Sequence, residues 1–294
     1  MYWLLIFCVL LYFPVTLIRK LASKKTEGKI ILFKFSLLVA IFGVATGFLV
    51  VLIEGARFSF DWVTLSTALL FGIMLAVAQV ASFSALQTTS VAIVNMSATA
   101  SVLIPCVVGM IFFREPITVG NAIGIIAFFI AAYFITRPTN KESKSFTTKA
   151  LFLCLAVFVA EGVGSVAMQL FSKYSTGVKD SVFMLYAYLF NSLILLIYVF
   201  ILSKGKKREE DGTAVISKKL FLYAFLIAAI VFAMQQINVV LANDISAAIL
   251  FLVLKSGSLV FGAVVGWAIF KEKLSVKNIV GLALCIGAAI VLNL

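Results

Sequence analysis

Ten long apolar stretches follow one another along the chain, and short polar segments separate them. They lie at about 2–18, 31–53, 64–86, 89–113, 117–136, 150–172, 181–202, 219–242, 245–270 and 275–294. An α-helix rises 1.5 Å per residue, so stretches of this length cross a hydrocarbon layer of roughly 30 Å. They do not alternate between apolar and polar positions, as the strands of a membrane barrel would. We therefore predict an all-α membrane protein with ten transmembrane helices, numbered here as spans 1 to 10.

The second five spans repeat the first five. A shift of 157 residues places VVGMIFFREPITVGNAIG, at 107–124, on VVGWAIFKEKLSVKNIVG, at 264–281, without a gap. The shift carries eight residues onto identical ones, namely Val107, Val108, Gly109, Phe113, Glu115, Val119, Asn121 and Gly124. Because five is an odd number, the second copy would enter the membrane from the opposite side, which is the plan of many secondary transporters. We predict two inverted five-helix repeats, 1–136 and 150–294, joined by a linker at 137–149.

Composition and charge agree with a membrane protein and set its orientation. The chain is 63% hydrophobic and 12% charged, which is more apolar than a soluble protein of this length. Its net charge of +12 does not point to a nucleic-acid partner, because the positive residues lie in short loops between spans. The loops after spans 1, 5, 7 and 9 carry nineteen Lys and Arg, and those of the other face carry four. The positive-inside rule then places loops 19–30, 137–149 and 203–218 in the cytoplasm and both termini outside a plasma membrane.

No metal or cofactor is expected. The four cysteines lie inside apolar spans, where cysteine usually behaves as a small hydrophobic residue. The sequence contains no histidine and no paired-cysteine motif, so the usual ligand spacings are missing.

One segment resembles a known family. ALQTTSVAIVNMSATASVLIPCVVGMIFFREPITVGNAIGIIAFFIAAYFI, at 85–135, resembles the signature half of the drug/metabolite transporter superfamily, in its EamA-like branch. An Ala-Leu turn, a helix with a central Pro, a short loop with Glu and a helix with an early Gly carry the resemblance. Residues 242–292 match the same pattern with Glu272 and Gly281. The resemblance implies a ten-helix transporter and covers spans 3–5 and 8–10.

Span 1 departs from this family. Members often open with a Trp-Gly pair and a Lys at the helix end, and here only Arg19–Lys20 could correspond. Many members are also expected to keep both termini inside, against the charge count. These departures leave the substrate and its direction open.

Two ionisable residues lie near the middle of apolar spans, Glu161 in span 6 and Lys255 in span 9. A charge there costs about 2.5–3.5 kcal/mol on insertion scales. They are candidates for a substrate or proton site, or for a structural pair. Both interpretations can hold, because protonation of Glu161 would free Lys255 for an anion. The glycines Gly162 and Gly164 either interrupt span 6 at a binding site or allow close helix packing.

Amide and aromatic side chains are further candidates for a central cavity. The 157-residue shift carries Gln79 onto Gln236, and we expect this pair to meet across the repeat axis. The other candidates are Gln235, Asn238, Asn95, Gln169, Asn191, Tyr186 and Tyr188. The alternative for the amides is hydrogen bonding between helices, which is worth about 0.6 kcal/mol on average. The alternative for the tyrosines is packing, and Glu115 and Glu272 are expected to cap the helices that follow them.

These features favour a secondary transporter that moves a small polar metabolite, anionic or zwitterionic, by alternating access. Its expected partners are the small-molecule substrate, the lipid bilayer and protons as a possible coupling ion, in a monomer or homodimer. We do not expect an enzyme, because a membrane-embedded transferase would need a cluster of acid, base or metal ligands near an interface. A translocase of lipids or lipid-linked intermediates with the same fold remains the main alternative, and a channel is less favoured.

Overall fold

The computed structural model of the chain describes residues 2–23, 25–26, 29–88, 91–114, 119–136, 148–205, 216–245, 247–269 and 276–291. All regular secondary structure in these residues is helical. The helices are α1 (Tyr2–Ser23), α2 (Lys29–Ile53), α3 (Trp62–Thr88), α4 (Val91–Ala100), α5 (Leu103–Phe112), α6 (Val119–Thr136), α7 (Thr148–Tyr174), α8 (Asp180–Gly205), α9 (Lys218–Ala242), α10 (Ala247–Ala268) and α11 (Val276–Val291). The predicted all-α class is therefore confirmed.

Every predicted span overlaps a helix. By length and composition, six of the described helices could cross a membrane, namely α1, α2, α3, α7, α8 and α9. Shorter apolar helical segments lie at Ser97–Phe112 and Ile249–Val265. Several long apolar helices in one chain are what a multi-pass membrane protein requires.

Span 4 differs from the prediction, because two helices replace one continuous helix over 89–113. Pro105 has no N–H to donate to the carbonyl of Ser101, and its ring crowds that carbonyl. The backbone tightens here instead. The amide of Val102 donates to the carbonyl of Thr99 at 3.2 Å, and the amide of Ile104 donates to Ser101 at 3.1 Å. The chain thus passes from α4 to α5 through a short turn with hydrogen bonds three residues apart.

The helices of 2–136 pack mainly against those of 148–291. The interface of α3 with α7 is the most extensive, followed by α6 with α11 and α2 with α8. Helix α3 also packs on α8, α2 on α9, α1 on α9 and α10, and both α4 and α5 on α7. The two halves of the sequence therefore form one interlocked bundle.

Two faces of this bundle can be distinguished by the connections between helices. On one, which we call the basic face, Lys25 lies 5.7 Å from the ring of Tyr223, so the α1–α2 connection is beside the start of α9. On the other, the opposite face, the Lys179 ammonium donates to the Glu54 carbonyl at 2.9 Å, so connections 54–61 and 175–179 meet. The predicted cytoplasmic loops 137–149 and 203–218 fall largely outside the described residues, and their placement stays a prediction.

Candidate functional site

An ion pair joins the two charged residues in the middle of the apolar helices. The Lys255 ammonium, on α10, donates to the Glu161 Oε2 on α7. The two side chains are 17% and 25% exposed. A pair that is partly buried loses much of its hydration, so each charge depends on the other for compensation. The structure thus brings together the two residues that the sequence predicted to be either a site or a pair.

Close packing holds Glu161 in place. Its neighbour Gly162 faces α5, and a Cβ at that position would lie 2.4 Å from the Cδ1 of Ile104. Gly164 has more room, since a Cβ there would be 3.6 Å from Met74. Helix α7 runs without a break from Thr148 to Tyr174. Of the two interpretations of these glycines, the structure therefore favours close packing over an interrupted helix.

Helix α1 adds a residue that the sequence did not single out. Tyr12 packs against the apolar cluster that includes Leu254 of α10, the residue before Lys255. Cys8, one turn earlier on the same face of α1, donates to the Asn238 Oδ1 at 3.3 Å. The available signal was the i, i+4 spacing of a thiol and a phenol within an apolar helix, which by itself is typical of packing.

Two of the predicted amides meet on α9. The Asn238 amide donates to the Gln235 Oε1 at 3.4 Å, and Asn238 also accepts from Cys8 of α1. These amides therefore lie at the junction of α1 with α9. The ion pair is next to the same helix α1, because α10, which carries Lys255, packs on α1 with Gly257 against Val9.

The predicted meeting of Gln79 with Gln236 stays a prediction, and the hydrogen bonds of the two side chains differ. The Gln79 amide donates to the Ser36 carbonyl on α2 at 3.3 Å, a contact within the first half. The Gln236 Oε1 is buried and finds no hydrogen-bond partner within the part of the chain that the structure describes. In that part no hydrogen bond joins the two glutamines, although their sequence positions are equivalent.

The remaining candidates are dispersed. Gln169 and Asn191 are buried, and their side-chain oxygens find no partner among the described residues. Tyr188 is buried against Phe232 with ring centroids 5.4 Å apart, which is a packing contact. Tyr186 lies at the opposite face, where its hydroxyl donates to the Ser59 carbonyl at 3.4 Å. Asn95 lies on α4, but its side chain is outside the described residues.

Among the described residues, no group of three or more His, Cys, Asp or Glu side chains is placed to hold a metal ion. The arrangement around Lys255 offers a cation, a carboxylate, a phenol and amides. Such groups can bind a charged or zwitterionic solute and can exchange a proton at Glu161, but they are not an evident nucleophile–base arrangement.

Comparisons with known proteins identify the fold. No model of a known protein family matches the chain, and no curated protein matches it. Among solved structures, 29 chains match. One of them, described as "Crystal structure of protein", superposes with a TM-score of 0.71 over 98% of this chain and 98% of its own, at 16% identity. At that identity the likeness shows a shared fold over essentially the whole chain and carries no information on function.

Proposed function

We propose that the protein is a secondary transporter of a small polar metabolite, anionic or zwitterionic, and that it works by alternating access between two inverted five-helix halves. The observation that carries the proposal is the ion pair between Lys255 and Glu161 in the middle of two apolar helices. Charges at membrane depth usually mark the path of a substrate, ion or proton.

The chemistry of the pair suits a binding site that switches. A substrate carboxylate would compete with Glu161 for the Lys255 ammonium, and a substrate ammonium would compete with Lys255 for the Glu161 carboxylate. Protonation of Glu161 would also release Lys255. In each case a new partner compensates the charge that is released. Binding of substrate or proton can therefore shift the equilibrium between conformations of the two halves.

Helix pairing supports the inverted repeat. We exchange the halves by pairing α1 with α7, α2 with α8, α3 with α9, α4 and α5 with α10, and α6 with α11. The contact of α1 with α10 then maps onto that of α7 with α4 and α5, and the contact of α3 with α8 maps onto that of α9 with α2. The contacts of α2 with α8 and of α6 with α11 map onto themselves. This is the pairing expected of two copies related by a twofold axis.

Ten membrane crossings follow from this arrangement. Helices α4 and α5 together cover Val91 to Phe112, and α10 covers Ala247 to Ala268, so that each spans roughly 33 Å at 1.5 Å per residue. We include α6 and α11 because they pack against each other as equivalents. On this basis we propose membership of the drug/metabolite transporter superfamily in its EamA-like branch, location in the plasma membrane and no enzymatic activity.

A thermal-shift screen of the purified protein against charged and zwitterionic metabolites tests the proposal. A ligand that binds the folded state stabilises it by an amount that grows with the logarithm of its concentration over Kd. We expect at least one metabolite to raise the Tm of the wild type but not that of Lys255→Met. Lys277→Met, which removes an exposed lysine on α11, is the matched control and should keep the shift. Equal shifts in the wild type and Lys255→Met would remove Lys255 from the site.

A further inference from the structure

We propose that the structure is the state closed at the opposite face, and that a contact between Ser181 and Glu54 is the latch that holds it closed. The Ser181 hydroxyl donates to the Glu54 Oε2 at 2.6 Å. This inference rests on the proposed function, because a latch between halves has a purpose only if the halves move.

The latch joins the two halves directly. Glu54 follows the end of α2, and Ser181 lies in the first turn of α8, where it is fully buried. The backbone of Glu54 is held as well, since its carbonyl accepts from the Lys179 ammonium at 2.9 Å. A hydrogen bond to a charged group is stronger than one between neutral groups. The Ser181–Glu54 hydrogen bond is therefore a strong contact, although Glu54 itself is exposed.

Further contacts at the same face also cross between the halves. The hydroxyls of Thr64 and Ser175 are 2.8 Å apart. Tyr186 stacks on Phe60 with ring centroids 6.0 Å apart. The Lys173 ammonium lies 4.1 Å from the ring centroid of Phe113. Each of these pairs takes one residue from 2–136 and one from 148–291, so all of them must separate if this face opens.

The basic face is joined by contacts of a different kind. There Phe42 meets Phe221 with centroids 4.9 Å apart, and Phe33 meets Tyr198 at 4.5 Å. The helix pairs also differ, since the α3–α7 interface is much more extensive than the equivalent α9–α1 interface. The bundle is therefore more tightly closed along α3 and α7 than along α1 and α9.

Arg19 lies on α1, on the side where the helices pack less closely. It lies near the basic end of α1 and is exposed. Arg19 is seven residues from Tyr12, about two turns along the same side of α1, and α1 packs on α10, which carries Lys255. We infer that a solute reaches the ion pair from the basic face in this state, while the latch excludes it from the other.

Cysteine labelling tests the latch without a substrate. The reporter is Thr67→Cys, because Thr67 is buried one turn of α3 inward from Thr64, and its hydroxyl bonds only to carbonyls of its own helix. Purified full-length protein in detergent is treated with a bulky maleimide, and the parent with only its native cysteines gives the background. We expect the reporter to react about tenfold faster in the Ser181→Ala and Glu54→Ala variants than in the protein that carries the reporter alone, the factor that loss of a hydrogen bond to a charged group allows.

Ser192→Ala is the matched control. It makes the same change on the same helix, and its hydroxyl donates only to the Leu189 carbonyl of α8, at 2.8 Å. Its labelling rate should equal that of the reporter alone. The latch is rejected if Ser181→Ala and Glu54→Ala label no faster than Ser192→Ala. If Ser181→Ala does not fold, Glu54→Ala decides alone, because it removes the other partner of the same hydrogen bond.

The result is independent of the transport assay. The latch variants could label faster while the screen finds no ligand for the wild type. That result would support the latch and count against a metabolite transporter. Ligand binding at Lys255 with unchanged labelling would keep the transporter and remove the latch.

Discussion

At the scale of single residues, the pair Lys255–Glu161 stands out because the repeat does not require it. The positions equivalent to Lys255 and Glu161 in the first half are Ala98 and Leu4, both uncharged. The fold therefore accepts apolar residues at equivalent places. Replacing a buried pair by apolar residues is often neutral or stabilising. Stability alone is thus a weak reason for the presence of these charges.

We predict different outcomes for single and double substitutions of this pair. Lys255→Met leaves the Glu161 carboxylate without its partner and should lower the free energy of unfolding by about 3 kcal/mol, the low end of the range for buried pairs, because both side chains are only partly buried. The double variant Lys255→Met with Glu161→Gln should recover most of that loss. Denaturation of the wild type, Lys255→Met and the double variant in detergent measures both values.

Transport by the same variants separates site from structure. If Lys255 binds substrate, the double variant should be as inactive as Lys255→Met although its stability has returned. Uptake or efflux in reconstituted vesicles measures this. Full transport by the double variant would show that the pair is structural and that substrate binds elsewhere.

At the scale of helices, the contact of α5 with α7 gives a prediction with an internal control. Gly162→Ala brings a methyl group against Ile104, where the space is 2.4 Å. We expect it to lower stability by about 1–3 kcal/mol, as overpacking does. Gly164→Ala meets its neighbours at ordinary distances of 3.6 Å and more, so it should be neutral or stabilise by up to about 1 kcal/mol.

Thermal unfolding of the two variants measures the difference. The double change Gly162→Ala with Ile104→Ala should restore stability in part, because it empties the space that the new methyl group needs. A Gly162→Ala protein as stable as Gly164→Ala would contradict the close approach of α5 to α7 beside Glu161.

The helices could be predicted from the sequence because their length and apolar character are local properties. Each of the ten apolar stretches contains a helix among the described residues, and the charge pair was visible as two exceptions within them. The break between α4 and α5 was not predicted, although Pro105 was evident, because proline in an apolar run can either bend a helix or end it. The residue Tyr12 was missed, since only the packing of α1 on α10, which carries Lys255, places it near the ion pair.

Contacts between particular side chains of different helices could not be predicted from the sequence, because they depend on how the helices pack. Equivalence under the 157-residue shift predicted that Gln79 would meet Gln236. In the described residues the Gln79 amide donates to the Ser36 carbonyl, and no hydrogen bond joins it to Gln236. A repeat places its copies in equivalent positions, but it does not bring equivalent side chains together unless both lie on the axis. Only the packing angles of the helices decide that point.

At the scale of the whole molecule, the structure combines near-symmetric pairing with unequal closure. The exchange of halves preserves which helices touch, while the α3–α7 and α1–α9 interfaces differ in extent. In an inverted repeat, exchanging the conformations of the two halves converts one closed face into the other. The opposite conformation would thus loosen α3 from α7 and tighten α1 against α9, without new secondary structure.

Orientation in the membrane is the remaining prediction at this scale. Nineteen Lys and Arg lie in loops of the basic face against four on the opposite face, so the basic face should be cytoplasmic. Helix α1 runs from the opposite face to the basic face, and α2 returns, so the N-terminus and connection 54–61 lie on the same side. We predict that tags at both termini, and one inserted at the exposed Phe58, are accessible to antibody in intact cells. A tag in 206–215 should require permeabilisation. Termini and Phe58 that are accessible only after permeabilisation would reverse the orientation, and the route past Arg19 would then open to the outside.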